Sequence, residues 1–218
     1  MKRRLLIIMM LFFIFLAGCA GMVPVREALI ENIDVPAGKI DGNQFTGVRY
    51  QFNVSAPSHW KMTTEFPDFL EELGYDKPSP GDKEQTELYA YNPATKSNIN
   101  FDFTPAGRYA TFSQEKIEWM TTAATDSLKS ELDKEFGQGA VKTEVAPTEP
   151  ISLKGVQFAA KKYVTYTVKG QKREQGWIYG FTEPYQLFIL YVIFDIPGTS
   201  DREDLKKILD SFEFVSRK

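Results

Sequence analysis

The stretch Tyr185-Gln186-Leu187-Phe188-Ile189-Leu190-Tyr191-Val192-Ile193-Phe194 constrains this chain more than any other. It is almost unbroken in apolar character and rich in β-branched and aromatic residues. Such a run reads as a strand buried on both faces, because a half-exposed strand would alternate with polar residues. A sheet built on it needs cover on each side. Two strands precede it, Val156–Val168 and Glu174–Phe181. The charged turn Lys169-Gly170-Gln171-Lys172 joins them, and Thr182-Glu183-Pro184 leads into the apolar run. Short turns of this kind make neighbouring strands antiparallel.

Two helices are available as cover. Thr111 and Gln114 have capping-box spacing, and Ile117, Met120, Ala124, Leu128, Leu132 and Phe136 repeat at three and four before Gly137. That period places one apolar stripe against a sheet. Ser200-Asp201-Arg202-Glu203 reads as a second capping box, opening a helix that buries Leu205, Ile208, Leu209 and Phe212. The expectation is an α+β fold: an α/β/α sandwich with a mainly antiparallel central sheet, covered by helices on both faces.

Further strands come earlier. In Val48–Val54, Val48, Tyr50, Phe52 and Val54 alternate with Arg49, Gln51 and Asn53, which predicts a half-buried strand with its polar residues outward. Ala56–Trp60 is a turn, and Trp60-Lys61-Met62 starts a short strand. Phe66–Gly74 suits a short helical turn. Glu87–Tyr91 and Asn98–Thr104 are strands joined by Asn92–Ser97, and Asn100 and Asp102 share the polar face of the second.

Pro57-x-x-Trp60 after the first strand and Ile208-Leu209-x-Ser211-Phe212 near the end, with this order of elements, resemble the family of the PsbP-type photosystem subunit, the Mog-type Ran-binding proteins and the DcrB-type bacterial lipoproteins. The resemblance spans residues 46 to 216. It implies an antiparallel sheet sandwiched between helices, a fold that serves varied binding partners, and lipoprotein character.

The N-terminus supports that last point on its own residues. Lys2, Arg3 and Arg4 precede thirteen uncharged, apolar residues from Leu5 to Ala17. This run is too short for a membrane-spanning helix, which needs about 20 residues, and suits a signal peptide. Leu16-Ala17-Gly18-Cys19 resembles the bacterial lipobox. That implies diacylglycerol transfer to the Cys19 thiol and cleavage between Gly18 and Cys19. Cys19 is the only cysteine in the sequence, so no internal disulfide can form. The expected organisation is a lipoprotein signal peptide at 1–18, a lipidated N-terminus and tether at 19–46, and one domain at 47–218. A flexible segment of the tether's length reaches about 25–30 Å. Ala20 stands where an aspartate would favour inner-membrane retention, so the expected location is the outer membrane, facing the periplasm, where the cell has two.

Composition narrows the function. Removing residues 1–18 takes three positive charges and no acid, moving the formal charge from −3 to −6. An acidic body of this kind gives no electrostatic reason to bind nucleic acid or anionic lipid. His59 is the only histidine, so neither a cysteine–histidine pair nor a multi-histidine zinc site can form. No glycine-rich phosphate loop is present. The expectation is therefore no enzyme, no cofactor, no metal and a monomer. The protein would be tethered to the membrane by its lipid and would act on an envelope protein partner as a binding or accessory module. A structural or stress-related envelope role is the alternative, and a carboxylate-dependent envelope enzyme a more distant one. Candidate partner-contacting residues are Trp60, Asn100, Asp102, Lys172 and Arg173.

Overall fold

The computed structural model describes residues 35–78, 86–106 and 111–215. The expected signal peptide, Gly18, Cys19 and the expected tether up to residue 34 lie outside these. Among the described residues no helix is long and apolar enough to cross a membrane.

The elements run β1 (Gly38–Asp41), β2 (Gln44–Gly47), β3 (Phe52–Ser55), β4 (Lys61–Thr63), α1 (Phe69–Glu72), β5 (Thr86–Tyr91), β6 (Asn98–Pro105), α2 (Gln114–Phe136), β7 (Thr143–Val145), β8 (Glu149–Pro150), β9 (Phe158–Val168), β10 (Gln171–Thr182), β11 (Tyr185–Phe194), α3 (Asp201–Ser211) and β12 (Glu213–Phe214). The large sheet follows the order β4-β5-β6-β11-β10-β9-β7, with β8 also paired to β9. A smaller sheet has the order β1-β2-β3-β12. The strand pairings within both are antiparallel.

The apolar run forms β11 and occupies the middle of the large sheet, as its two-sided hydrophobicity requires. Leu187, Ile189, Tyr191 and Ile193 point into the main core, where they meet Phe52, Leu205, Ile208 and Phe212. On the other face, Leu128 and Leu132 of α2 pack with Val164, Tyr166, Val168 and Trp177. Ile117 packs with Ala160 and Phe181. Each fully buried side chain of this size contributes about 1.5–3 kcal/mol. Gly176 faces Tyr191 across the ladder. A Cβ there would lie 2.2 Å from the Tyr191 ring, so the bare backbone makes room for a fully buried tyrosine.

The two faces are covered differently. One carries α2. The other carries α3 together with the small sheet, a layer the sequence did not announce. Residues Gly38–Gly47, read as the end of a tether, form a hairpin whose second strand pairs with β3. Phe45 of that hairpin is 1% exposed and packs 5.0 Å from Phe52, centroid to centroid. The burial of this one aromatic ring draws an otherwise polar, glycine-rich segment onto the domain.

The expected strand at Val48–Val54 is also shorter. Val48 is exposed and Arg49 is buried, the reverse of simple alternation. Arg49 Nη1 lies 2.8 Å from Glu87 Oε1, and its Nε and Nη2 donate to the carbonyl of Val35 at 3.2 and 2.9 Å. A charge-assisted pair therefore turns the chain inward just before β3.

Helix caps differ from the expected boxes too. Ser113, not Thr111, caps α2 by accepting from the Lys116 amide at 3.2 Å. Gln114 instead donates to the Ala159 carbonyl of β9 at 3.0 Å. At the other end of the fold, Ser211 accepts from the Ser55 amide at 2.9 Å and its hydroxyl faces the Ile208 carbonyl at 2.7 Å. Phe212 then stacks on Phe101 at 5.9 Å. The Ser211-Phe212 pair thus ends α3 and docks it on β3 and β6.

Arg49→Met removes the guanidinium beside a carboxylate that is 1% exposed, and is expected to cost about 3–5 kcal/mol in urea unfolding. The double variant Arg49→Met, Glu87→Leu should recover most of that loss. A double variant no more stable than Arg49→Met would contradict this account.

Candidate functional site

Two arrangements of polar side chains lie away from the hydrophobic layers. The first surrounds the N-terminus of α3. Asp201 is 1% exposed. Its Oδ1 accepts from Asn92 Nδ2 at 2.8 Å, and its Oδ2 from Ser97 Oγ at 2.6 Å. Ser97 Oγ in turn accepts from the Phe194 amide at 3.0 Å. Asp204, also 1% exposed, accepts from Ser200 Oγ at 2.7 Å and from Lys207 Nζ at 2.9 Å. His59 Nε2 lies 2.9 Å from Asp204 Oδ2. The serine expected as a capping box therefore serves a buried carboxylate instead.

Ligand atoms of His59, Asp201 and Asp204 fall within 4.8 Å of one another, the one such grouping among the described residues. Each carboxylate oxygen already accepts from a side chain, and a lysine ammonium sits on Asp204. A cation would have to displace these partners. What the arrangement does is join α3 to the β5–β6 turn, the end of β11 and the turn before β4. Burial alone would raise the Asp204 carboxyl, but hydrogen bonds from Ser200 and Lys207, with the charges of Lys207 and His59, hold it below the usual carboxylate range. Ser58 and His59 form no hydrogen bond with each other among the described residues.

The second arrangement is a cavity of about 350 Å³ on the α2 side of the large sheet. Its walls come from the α1 segment (Glu71 to Tyr75), the C-terminal half of α2 (Leu128, Glu131, Leu132, Glu135, Phe136) and the β9–β10 hairpin (Tyr166, Val168, Lys169, Arg173, Gln175). The hairpin builds its floor by register. Lys169 and Gly170 both take positive φ, 51° and 78°, which makes a tight two-residue turn. That turn sets Arg173 opposite Tyr166 and Gln175 opposite Val164. All four then share the face that α2 covers.

Arg173 lies half-buried with its guanidinium 5.0 Å over the Phe194 ring. Its Nε has no hydrogen-bond partner among the described residues, and neither does its charge have a carboxylate within ion-pair distance. Tyr166 donates to Gln175 Oε1 at 2.9 Å. Burial pushes the Tyr166 hydroxyl up, Arg173 opposes the rise both by its charge and by a hydrogen bond between the two side chains, and Glu135 adds to it. Burial likewise pushes Tyr75 up, with Tyr166 and Glu131 adding and Arg173 opposing. Both tyrosines stay neutral; Tyr75 lines the cavity with its hydroxyl, while the Tyr166 proton is committed to Gln175. A hollow of about 430 Å³ also lies beside α2, but its lining residues, Asp126, Lys129, Ser130, Asp133, Lys134 and Gln138, are all polar or charged.

The residues expected to contact a partner do not form one surface. Trp60 is 3% exposed and belongs to the main core, so it presents nothing outward. The Pro57-x-x-Trp60 spacing instead makes a turn, with the Trp60 amide donating to the Pro57 carbonyl at 2.9 Å. Asn100 and Asp102 share a face of β6, opposite Leu190 and Phe188 of β11. Lys172 is exposed, 3.5 Å from Asp195. Arg173 turns inward to the cavity rather than standing at a solvated hairpin tip. Tyr75 and Gln175 were not singled out from sequence. Reading the turn as two residues, Lys169-Gly170, would have placed Tyr166 and Arg173 side by side.

No protein-family model matches the chain, and no curated protein matches it in sequence. Solved structures do match in fold. The solution structure of cyanobacterial PsbP (CyanoP) from Synechocystis sp. PCC 6803 aligns with a TM-score of 0.50 at 9% identity, covering 84% of this chain and 96% of that one. LpqN, described as involved in cell envelope biogenesis of Mycobacterium tuberculosis, aligns with a TM-score of 0.51 at 10% identity, covering 76% of this chain and 84% of that one. The fold is PsbP-like.

Asp204→Asn is expected to lower stability at neutral pH by about 1–3 kcal/mol, because it strips the charge that Lys207 and His59 face. The folded carboxyl titrates below its unfolded value, so its contribution is complete above about pH 4 and fades as pH falls through the folded value. The gap between wild type and Asp204→Asn should therefore close on acidification in urea melts taken across pH. A gap that is constant with pH would contradict the ionic role.

Proposed function

We propose that this protein is a lipid-anchored, non-catalytic binding module of the bacterial envelope, held at the membrane through Cys19 and engaging its partner at the cavity beneath α2. The cavity is the observation that carries the binding reading. It combines an apolar wall, neutral hydroxyls and a half-buried cation without an ion-pair partner among the described residues. Its lining is more polar than that of a typical small-molecule site, with Glu71, Glu72, Glu131, Glu135, Lys169 and Arg173 beside Leu128, Leu132, Phe136 and Val168, so charge rather than apolar burial would choose the ligand.

The anchor is supported by residues 1–19. The basic start, the short apolar run and the small residues before the only cysteine agree with one another. Several acyl chains hold a protein stably, at about 0.8 kcal/mol per buried CH₂. Likeness in fold to LpqN, an envelope-biogenesis protein by its description, supports an envelope setting. Ala20 favours the outer membrane in a cell that has one. The reading contains no reaction step: His59 and both buried aspartates hold α3 in place, and the cavity lacks histidine and cysteine among its lining residues.

Metabolic labelling with an alkyne fatty acid tests the anchor. Wild type should take up label and fractionate with membranes, whereas Cys19→Ser should lose label and shift to the soluble fraction after its signal segment is removed or blocked. A membrane-bound, unlabelled wild-type protein would overturn the lipid anchor.

A further inference from the structure

We propose that the cavity beneath α2 receives the end of a short peptide, carboxylate first, with a cationic group of the peptide held at its mouth. This rests on the binding-module reading and specifies the ligand's chemistry.

The charges at the site are arranged with polarity. Arg173 sits on the sheet floor, half-buried over Phe194 and without an ion-pair partner among the described residues. A half-buried cation of this kind favours an incoming carboxylate, and a guanidinium can take one in bidentate fashion. Tyr75 lines the cavity beside it with a hydroxyl, whereas the Tyr166 proton is already given to Gln175. At the opposite wall the sign reverses. Glu131 and Glu135 line the cavity from successive turns of α2, both exposed. Like charges four residues apart on a helix repel one another, and a cation between them relieves that repulsion.

Other ligand types fit one half of this arrangement only. A simple anion would meet Arg173 but also the carboxylates of Glu71, Glu131 and Glu135. A simple cation would meet the glutamates but also Arg173 and Lys169. A neutral saccharide would make hydrogen bonds and leave both sets of charges uncompensated. A single amino acid carries its charges on neighbouring atoms, whereas a short peptide spaces them from floor to mouth. Its side chains would then lie against Leu132 and Phe136. The volume, about 350 Å³, is near the lower end for ligand sites and suits a few residues rather than a folded partner.

Isothermal titration of the full-length chain in detergent tests this with acetyl-Lys-Ala-Ala. The expected result is one peptide per chain. Amidating its C-terminus should weaken binding about tenfold or more, the loss expected for a charge-assisted contact. Arg173→Met should weaken the free acid similarly and leave the amide unchanged. The pair Glu131→Gln, Glu135→Gln should weaken acetyl-Lys-Ala-Ala but not acetyl-Gln-Ala-Ala. The amide comparison needs no variant, so it stands even if Arg173→Met fails to fold. Equal binding of acid and amide, no binding of either, or Arg173-dependent binding of a chitin oligosaccharide instead would overturn the proposal. Chemical crosslinking in intact cells separates this failure from the broader one. A stoichiometric envelope adduct that survives without peptide binding overturns the peptide chemistry alone; no adduct overturns the binding-module reading as well.

Discussion

The structure depends on one strand that is apolar on both faces, with Leu187, Ile189, Tyr191 and Ile193 buried on one and Phe188 and Leu190 half-buried on the other. β11 is apolar along nearly its whole length, so both of its faces must be covered before the sheet is stable. Every other large element answers that requirement. α2 lies over β9 and β10 on one face; α3, Phe212 and the small sheet lie over β6 and β11 on the other. Tyr191 shows how tight the requirement is. It is fully buried, donates to Glu174 Oε1 at 3.1 Å, and fits only because Gly176 stands opposite. Burial pushes its hydroxyl far above the usual phenol range, and the neighbouring Glu174 charge pushes it the same way.

The covering layers were legible to different degrees, for physical reasons. β11, the β9–β10–β11 meander and the stripe of α2 follow from periodicity, because burial there is a property of whole runs of residues. The β1–β2 hairpin does not. Its sequence is polar and rich in glycine, and a single buried ring, Phe45, commits it to the domain. Arg49 defeats alternation for a related reason: a buried arginine is tolerated only with its partner, and Glu87 lies 38 residues away in sequence. Ser200 and Ser113 show the same limit at helix ends. Local spacing named candidate caps, but tertiary contacts decided which hydroxyl serves the helix and which serves a buried aspartate.

The polar clusters divide along similar lines. His59, Asp201 and Asp204 come from the turn before β4 and from α3, and their role is mutual satisfaction at a joint between elements. The cavity is different because its groups remain partly unsatisfied. The sequence names Arg173 as a candidate partner contact beside a charged turn of four residues. With a two-residue turn its side chain falls on the covered face beside Tyr166 and Gln175. Shortening the turn from four residues to two slides the pairing by two positions and keeps the faces, so what it fixes is that Arg173 stands directly opposite Tyr166. Buried polar groups are normally paired. Arg173, with its Nε unpaired and no carboxylate within ion-pair distance among the described residues, is thus the feature most in want of an external partner.

The account's central claim is that this cavity is where the protein meets its partner. The most direct measurement is photo-crosslinking in living cells, with a photoreactive residue placed at Glu135 on the cavity wall or at Glu203 on the exposed side of α3. The account predicts a discrete adduct from Glu135 and none from Glu203. Adducts from neither position, or equally from both, would contradict it.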